Sequence, residues 1–187
     1  MVKEAGADFG GGCLPALAAL VARCAHVHAK SDPLGVGAPQ PHSLSRPMAD
    51  VSLTPAAIVN CSMARALARW TANAVVPAAR KYLGREVIAF SVAASYVCRH
   101  QASGKKLSEH AFANAIDIKA FTFDDGTTYR VGQPAAKDSG ENRFAAEIRR
   151  KACDYFHTVL GPGADADHRD HFHLDLRGRR GGYRLCQ

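Results

Sequence analysis

His110 and Asp117, together with His168, Asp170, His171, His173 and Asp175, are the residues of this chain whose types and spacing could do chemistry. Residues two apart on a β-strand share a face. In the run His171-Phe172-His173-Leu174-Asp175-Leu176 the two imidazoles and Asp175 therefore point one way and the apolar residues turn to a core. The same rule places Ala115, Asp117 and Lys119 on one face of a strand and Ile116 and Ile118 on the other. A carboxylate in so apolar a strand is costly without a partner. His110, in a turn or short helix over 107–112, is close enough to fold back over it. Two His and one Asp form a nitrogen and oxygen donor set that suits Zn2+ with a fourth position open to water. Such an ion lowers the pKa of bound water to about 7 and polarises a carbonyl, as amide hydrolysis at neutral pH requires. The competing reading is coincidence, since the chain carries nine His.

The elements that must position these residues follow from periodicity and punctuation. An amphipathic helix is expected over 14–21; Lys3, Glu4, Asp8 and Arg23 around it fit a secretion signal poorly. Pro33, Gly35, Gly37, Pro39, Pro41, Pro47 and Pro55 then interrupt any helix or central strand, which predicts an extended arm or wrapping loop. The chain thus divides into an N-terminal helix and arm (1–54) and a main body (55–187). Thr54-Pro55 reads as the start of a helix carrying Ile58, Met63, Ala66, Leu67 and Trp70, bent near Pro77 and ended by Gly84. A strand over 87–96 follows, then a hairpin of 115–123 and 127–131 joined at Asp125-Gly126. A second helix is expected over 142–159, burying Phe144, Ile148, Ala152 and Phe156. Helices followed by a small, mostly antiparallel sheet make the fold class α+β.

Composition bounds the partners. The 187 residues, 47% hydrophobic and 22% charged, suit an ordinary globular body rather than a fibrous or disordered chain. No apolar run approaches the ~20 residues of a membrane-spanning helix. The formal charge of +7 favours an anionic partner such as a cell-wall polymer, a membrane surface or nucleic acid. The six cysteines are scattered singly with no CxxC pair, which points to disulfides in an oxidising compartment rather than a zinc ribbon, although buried free cysteine is the alternative.

The run Ser108-Glu109-His110-Ala111-Phe112-Ala113-Asn114-Ala115-Ile116-Asp117 resembles the SxHxxGxAxD signature of the zinc D-Ala-D-Ala peptidases, whose superfamily includes lysostaphin-type enzymes and hedgehog domains. His168, Asp170, His171 and His173 resemble its second half, closest to the His-rich strand of the penicillin-insensitive murein endopeptidases. More specifically, the chain resembles the bacterial extensin-like C-terminal domain family. The residues that carry this are Val59-Asn60-Cys61, Ala94-Ser95-Tyr96-Val97-Cys98-Arg99, Ala152-Cys153-Asp154-Tyr155-Phe156, Tyr183-Arg184-Leu185-Cys186 and the runs 107–117, 158–163 and 170–176.

The resemblance implies that His110, Asp117 and His173 bind zinc. It makes His171 the general base or the group that steadies the oxyanion, with His168 assisting. Asp170 stands where the carboxypeptidase branch places a catalytic Glu, but it is shorter and its odd offset turns it from His173, so His171 ranks above it. Arg99 resembles the arginine that faces the developing oxyanion; a surface charge is the other reading. Two departures stand out. Ala113 occupies a position where the family has Gly, and a Gly-Cys-Gly segment survives only as Gly35-Val36-Gly37, with Cys24 the candidate replacement for its cysteine. Gly10-Gly11-Gly12 reads as a flexible start, His26 and His28 as exposed residues near a helix end, and 177–182 as a basic, solvated loop.

The expected function is a zinc metallopeptidase acting on peptidoglycan stem peptides in the bacterial periplasm or envelope, as endopeptidase or D,D-carboxypeptidase. Such a chain would be exported by a signal these residues do not include. The alternative is an inactive zinc-containing module that binds cell wall. Nucleic-acid binding rests on charge alone and is not expected.

Overall fold

The structure, a computed structural model, describes residues 41–101, 104 and 106–187, together with Cys13, Leu17 and the backbone of the strands β1 (Arg23–His26), β2 (Lys30–Ser31) and β3 (Gly37–Ala38). Cys13 and Leu17 are helical, and Leu17 is buried in the core. The rest of the expected 14–21 helix, Gly10-Gly11-Gly12, His28, Gly35-Val36 and the side chain of Cys24 lie outside the described residues. His26 ends strand β1 rather than a helix.

The proline-rich segment is extended, as its composition requires, and it is woven into the fold. β4 (His42–Arg46) pairs with both β1 and β6 (Ala57–Val59), while β5 (Ser52–Thr54) runs parallel to β7 (Val87–Ala94) at the edge of the main sheet. Leu44, Val51 and Leu53 belong to the core. Thr54-Pro55 does not start a helix. Its peptide is cis and leads into β6, which places Ile58 on a strand; the helix α1 (Cys61–Trp70) begins where the Asn60 side chain accepts the Met63 N–H at 2.9 Å.

Met63, Ala64, Leu67, Ala68 and Trp70 line the buried stripe of α1. The helix loosens into a π turn over Thr71–Val75 just before Pro77, which has no N–H to give, then re-forms as α2 (Val76–Leu83) and ends at Gly84 with φ 65°. Trp70 donates its indole N–H to Ile148 O at 3.0 Å and meets Phe90, Phe121 and Phe156 edge-on. Ile148 belongs to α3 (Gly140–Ala152), which also buries Phe144 and Ala152. The expected continuation of α3 to residue 159 does not form. The β-branched pair Thr158-Val159 enters β10 (Thr158–Leu160) instead, and Phe156 reaches the core from the turn between them.

The main sheet has seven strands in the order β12 (Leu185–Cys186), β10, β11 (Phe172–Asp175), β8 (Ala115–Phe123), β7 and β5, with β9 (Thr128–Arg130) paired to β8 as the expected hairpin. Only β5–β7 and β10–β12 are parallel. The helices cover one face, where Ile116, Ile118, Phe121, Phe123, Phe172 and Leu174 are buried. Strict alternation along β8 would have turned Phe121 and Phe123 to the face of Asp117. A bulge prevents this: Ser91 pairs with Ala120 and Val92 with Ile118, so Lys119 is an extra residue and the parity flips after it. The opposite face of β8 and β11 carries the candidate chemistry.

Candidate metal centre

His110 stands in a 3-10 turn, Glu109–Phe112, that folds back over β8. Ser108 caps the turn, and Ala113 closes it with φ 52°, the left-handed conformation that the family's Gly would adopt without cost. A neighbouring net holds Ala113 there: its N–H donates to His110 O at 3.1 Å, its carbonyl accepts the Asn60 N–H at 2.7 Å, and Asn60 donates to the Asn114 side chain at 2.9 Å. The N-cap of α1 and the turn carrying His110 are thereby one construction.

Across the sheet, His173 of β11 pairs in register with Asp117 of β8. His110 Nε2 lies 3.2 Å from Asp117 Oδ2, and His173 Nδ1 lies 2.8 Å from Asp117 Oδ1. One donor atom from each of His110, Asp117 and His173 falls within 4.8 Å of the others, so the group could hold a metal ion. The far nitrogens are already occupied. His110 Nδ1 donates to Ser95 O at 2.5 Å, and His173 Nε2 meets Asp175 Oδ2 at 3.1 Å. This is the outer-shell pattern that orients metal-binding imidazoles. His110 Nε2 is buried, has no hydrogen-bond partner despite its proximity to Asp117, and so lies off the line of a hydrogen bond. A nitrogen aimed at a shared third point rather than at the carboxylate fits a metal ligand. The donor set, two imidazoles and one carboxylate, fits Zn2+.

The electrostatics follow from burial and pairing. Burial would raise the Asp117 pKa, but the His110 and His173 imidazoles beside it outweigh that and hold it well below the usual carboxylate range. Burial would lower the His173 pKa, but hydrogen bonds to Asp117 and Asp175 prevail and raise it to about 9. Asp175, opposed by burial, is held low by His173, by Thr158 and by the Arg177 N–H that its Oδ1 accepts at 2.9 Å.

His171 and His168 flank this group. His171 Nδ1 meets Asp170 Oδ1 at 2.9 Å, leaving Nε2 3.9 Å from Asp117 Oδ1. His168 Nδ1 meets Asp165 Oδ1 at 2.6 Å, and its ring centroid lies 5.3 Å from that of His171 and 5.5 Å from that of His173. Asp170 is directed at His171, not at the three candidate ligands. Arg99 is exposed in the loop before the His110 turn; its carbonyl accepts the Ser108 N–H at 3.0 Å, and among the described residues no ion pair joins its guanidinium to the cluster. The loop carrying His168 to His171 rests on Gly132. At φ 81° a Cβ there would come within 2.1 Å of Arg169 O. A surface depression of about 240 Å³ beside Arg65, Arg69 and Tyr155 shares no residue with the cluster.

Two anchors were given no role by the sequence reading. Asp175 was placed on the face of His173, two residues away, but not as its hydrogen-bond partner. Ser95 was not legible as one, because it acts through a backbone carbonyl.

Four of the described cysteines form two disulfides, Cys13–Cys61 and Cys153–Cys186, which fit an oxidising, exported environment. No helix among the described residues is long and apolar enough to cross a membrane. No curated protein matches the chain, and no solved structure matches it. The description extensin-like protein C-terminus matches residues 12–187, nearly the whole sequence and including every residue of the candidate metal centre, and the chain therefore belongs to that family.

Proposed function

We propose that this protein is a zinc-dependent peptidase of the bacterial periplasm or envelope that acts on peptidoglycan stem peptides. The observation that carries the reading is the convergence of His110 Nε2, Asp117 and His173 Nδ1, with the two far nitrogens fixed by Ser95 O and Asp175. Three protein donors are the ligand count of catalytic zinc sites, whereas structural sites use four. The likeness of 108–117 to the D-Ala-D-Ala peptidase signature supports the same choice of metal and substrate class. The +7 charge suits an anionic wall.

When bound, zinc supplies a Lewis acid for the amide carbonyl and brings the pKa of a water to near neutrality. The chain's own residues do the rest. His110, Asp117 and His173 hold the ion. His171, oriented through Nδ1 by Asp170, keeps Nε2 for proton transfer, taking a proton from the attacking water and delivering it to the leaving amine. Asp170 therefore works through His171. His168, oriented by Asp165, assists from beside both rings, and the family resemblance assigns the exposed Arg99 to the developing oxyanion.

The test is metal content per chain, for protein purified without chelator, combined with a muropeptide digest. The expected result is near-stoichiometric zinc that His110→Ala loses, and cleavage that His171→Ala abolishes while keeping the metal. Absence of zinc from the wild type removes the reading. Zinc retained with sacculi bound but no fragment released transfers the site to a wall-binding module.

A further inference from the structure

The basic run 177–182, expected as a solvated loop, contains one side chain that turns back into the fold. Arg179 is half-buried, and its guanidinium grips β10: Nη1 donates to His157 O at 3.1 Å and Nη2 to Thr158 Oγ1 at 2.8 Å. The position of Thr158 gives this contact its reach. Thr158 pairs across the sheet with Asp175 of β11, so the two side chains share a face, and both are buried. Asp175 Oδ2 in turn meets His173 Nε2 at 3.1 Å, and His173 Nδ1 lies 2.8 Å from Asp117 Oδ1. Arg179, Thr158, Asp175 and His173 thus stand in series from a surface loop to the candidate metal centre.

Donor and acceptor chemistry gives this series a direction. A guanidinium only donates, so Thr158 Oγ1 accepts from Arg179 and keeps its own proton to give elsewhere. The acceptor across the sheet is the Asp175 carboxylate. Against the opposing effect of burial, His173, the Thr158 hydroxyl and the Arg177 N–H hold that carboxyl low. An ionised carboxylate only accepts, so His173 gives it the Nε2 proton and keeps Nδ1 for an ion. Without Arg179 the Thr158 hydroxyl is free to rotate, and Asp175 loses a fixed donor.

We propose that Arg179 and Thr158 are positioning residues of the metal centre: Arg179 aims the Thr158 hydroxyl, which steadies the Asp175 carboxylate and, through it, the ring of His173. The inference rests on the zinc reading of the site and extends the support of one ligand to a residue of the C-terminal loop. Neither residue is a ligand or a catalytic group. Both act only through Asp175.

The test measures zinc affinity of the full chain by competition with a chromophoric chelator, and the His173 imidazole N–H resonance in protein labelled with 15N-histidine. Thr158→Val, which keeps the side-chain shape, and Arg179→Met are each expected to weaken zinc about tenfold, the low end for partners of metal-binding imidazoles, and to broaden the Nε2–H signal. Thr158→Ser, which keeps the hydroxyl, should stay near the wild type. In an Asp175→Ala background neither substitution should cost anything more, because the series is already broken. Unchanged affinity in both single variants overturns the proposal. So does an equal loss with and without Asp175, which marks a packing effect, or a Thr158→Ser variant no better than Thr158→Val. A wild type that binds no zinc removes the metal reading instead, and the resonance of the metal-free chain then decides: broadening in both variants sustains the series, and an unchanged signal sinks it.

Discussion

At the scale of single residues, each imidazole of the cluster has one nitrogen assigned and one to use. Asp175 fixes the assignment for His173, so removing it should loosen the ligand without removing a donor. Asp175→Ala is expected to weaken zinc affinity about 10–100-fold, read by competition against a chromophoric chelator, while His110→Ala abolishes binding. Unchanged affinity would reduce Asp175 to a packing role. The metal-free protein should reveal the same pairing through pH. His173 has its folded pKa raised from 6.5 to about 9, so its stabilisation is full below pH 6.5 and is lost as pH rises through about 9. Asp117, held low, contributes above its unfolded pKa and loses that contribution only in strong acid. The melting temperature of chelator-treated protein should therefore fall between pH 6.5 and about 9, and His173→Gln should flatten that slope. The three candidate ligands were legible because their motif is contiguous or strand-periodic. The left-handed backbone at Ala113 was legible from a single departure at a Gly position. Ser95 carried no signal, since any residue type supplies a carbonyl.

At the scale of elements, the sequence was clearest where one force dominates and poorest where tertiary pairing decides. The hairpin at Asp125-Gly126 follows from local chemistry and is present, and the helix expected to bend near Pro77 passes through a π turn just before it. The false helix start at Thr54-Pro55 failed because Ala57–Val59 has a strand partner in β4, and the overlong second helix failed because Thr158–Leu160 has one in β11. The bulge at Lys119 was hidden for the same reason. The contact between Gly132 and Arg169 O joins the end of β9 to the loop carrying His168, Asp170 and His171. Gly132→Ala would place a methyl group on that carbonyl in a backbone conformation alanine rarely adopts, so the loop must move. His110, Asp117 and His173 lie on other elements or deeper in β11. The expected outcome is near-normal zinc content with hydrolysis reduced at least about 100-fold and altered histidine resonances for His168 and His171, since small displacements of catalytic groups cost factors of this size. Loss of zinc in parallel with activity would mean that the variant disturbs the whole sheet instead.

At the scale of the molecule, the candidate metal centre sits where distant parts of the chain meet, and disulfides tie segments near both ends to the fold. Cys13–Cys61 joins Cys13 to the first residue of α1, and Cys153–Cys186 joins the end of α3 to β12. The sequence could not choose these pairs, because six cysteines admit 15 pairings and spacing ranks none of them. The C-terminal tie has companions: Arg149 donates to Gln187 O at 3.0 Å and to Pro162 O at 2.8 Å, and β12 pairs in parallel with β10. β10 in turn pairs with β11, so the tie reaches His173 through two strand ladders. A disulfide acts chiefly by restricting the unfolded chain, and one closing a segment of 33 residues should contribute about 3–4 kcal/mol. The double variant Cys153→Ser/Cys186→Ser is expected to lower the urea midpoint by an amount matching that range. Zinc content at low urea should stay intact, because the Arg149 contacts and the strand pairing hold β10 in place once the chain is folded. Zinc loss that precedes global unfolding as urea rises would show instead that the bond holds β11 in register, making the disulfide part of the site's support rather than of the fold's stability alone.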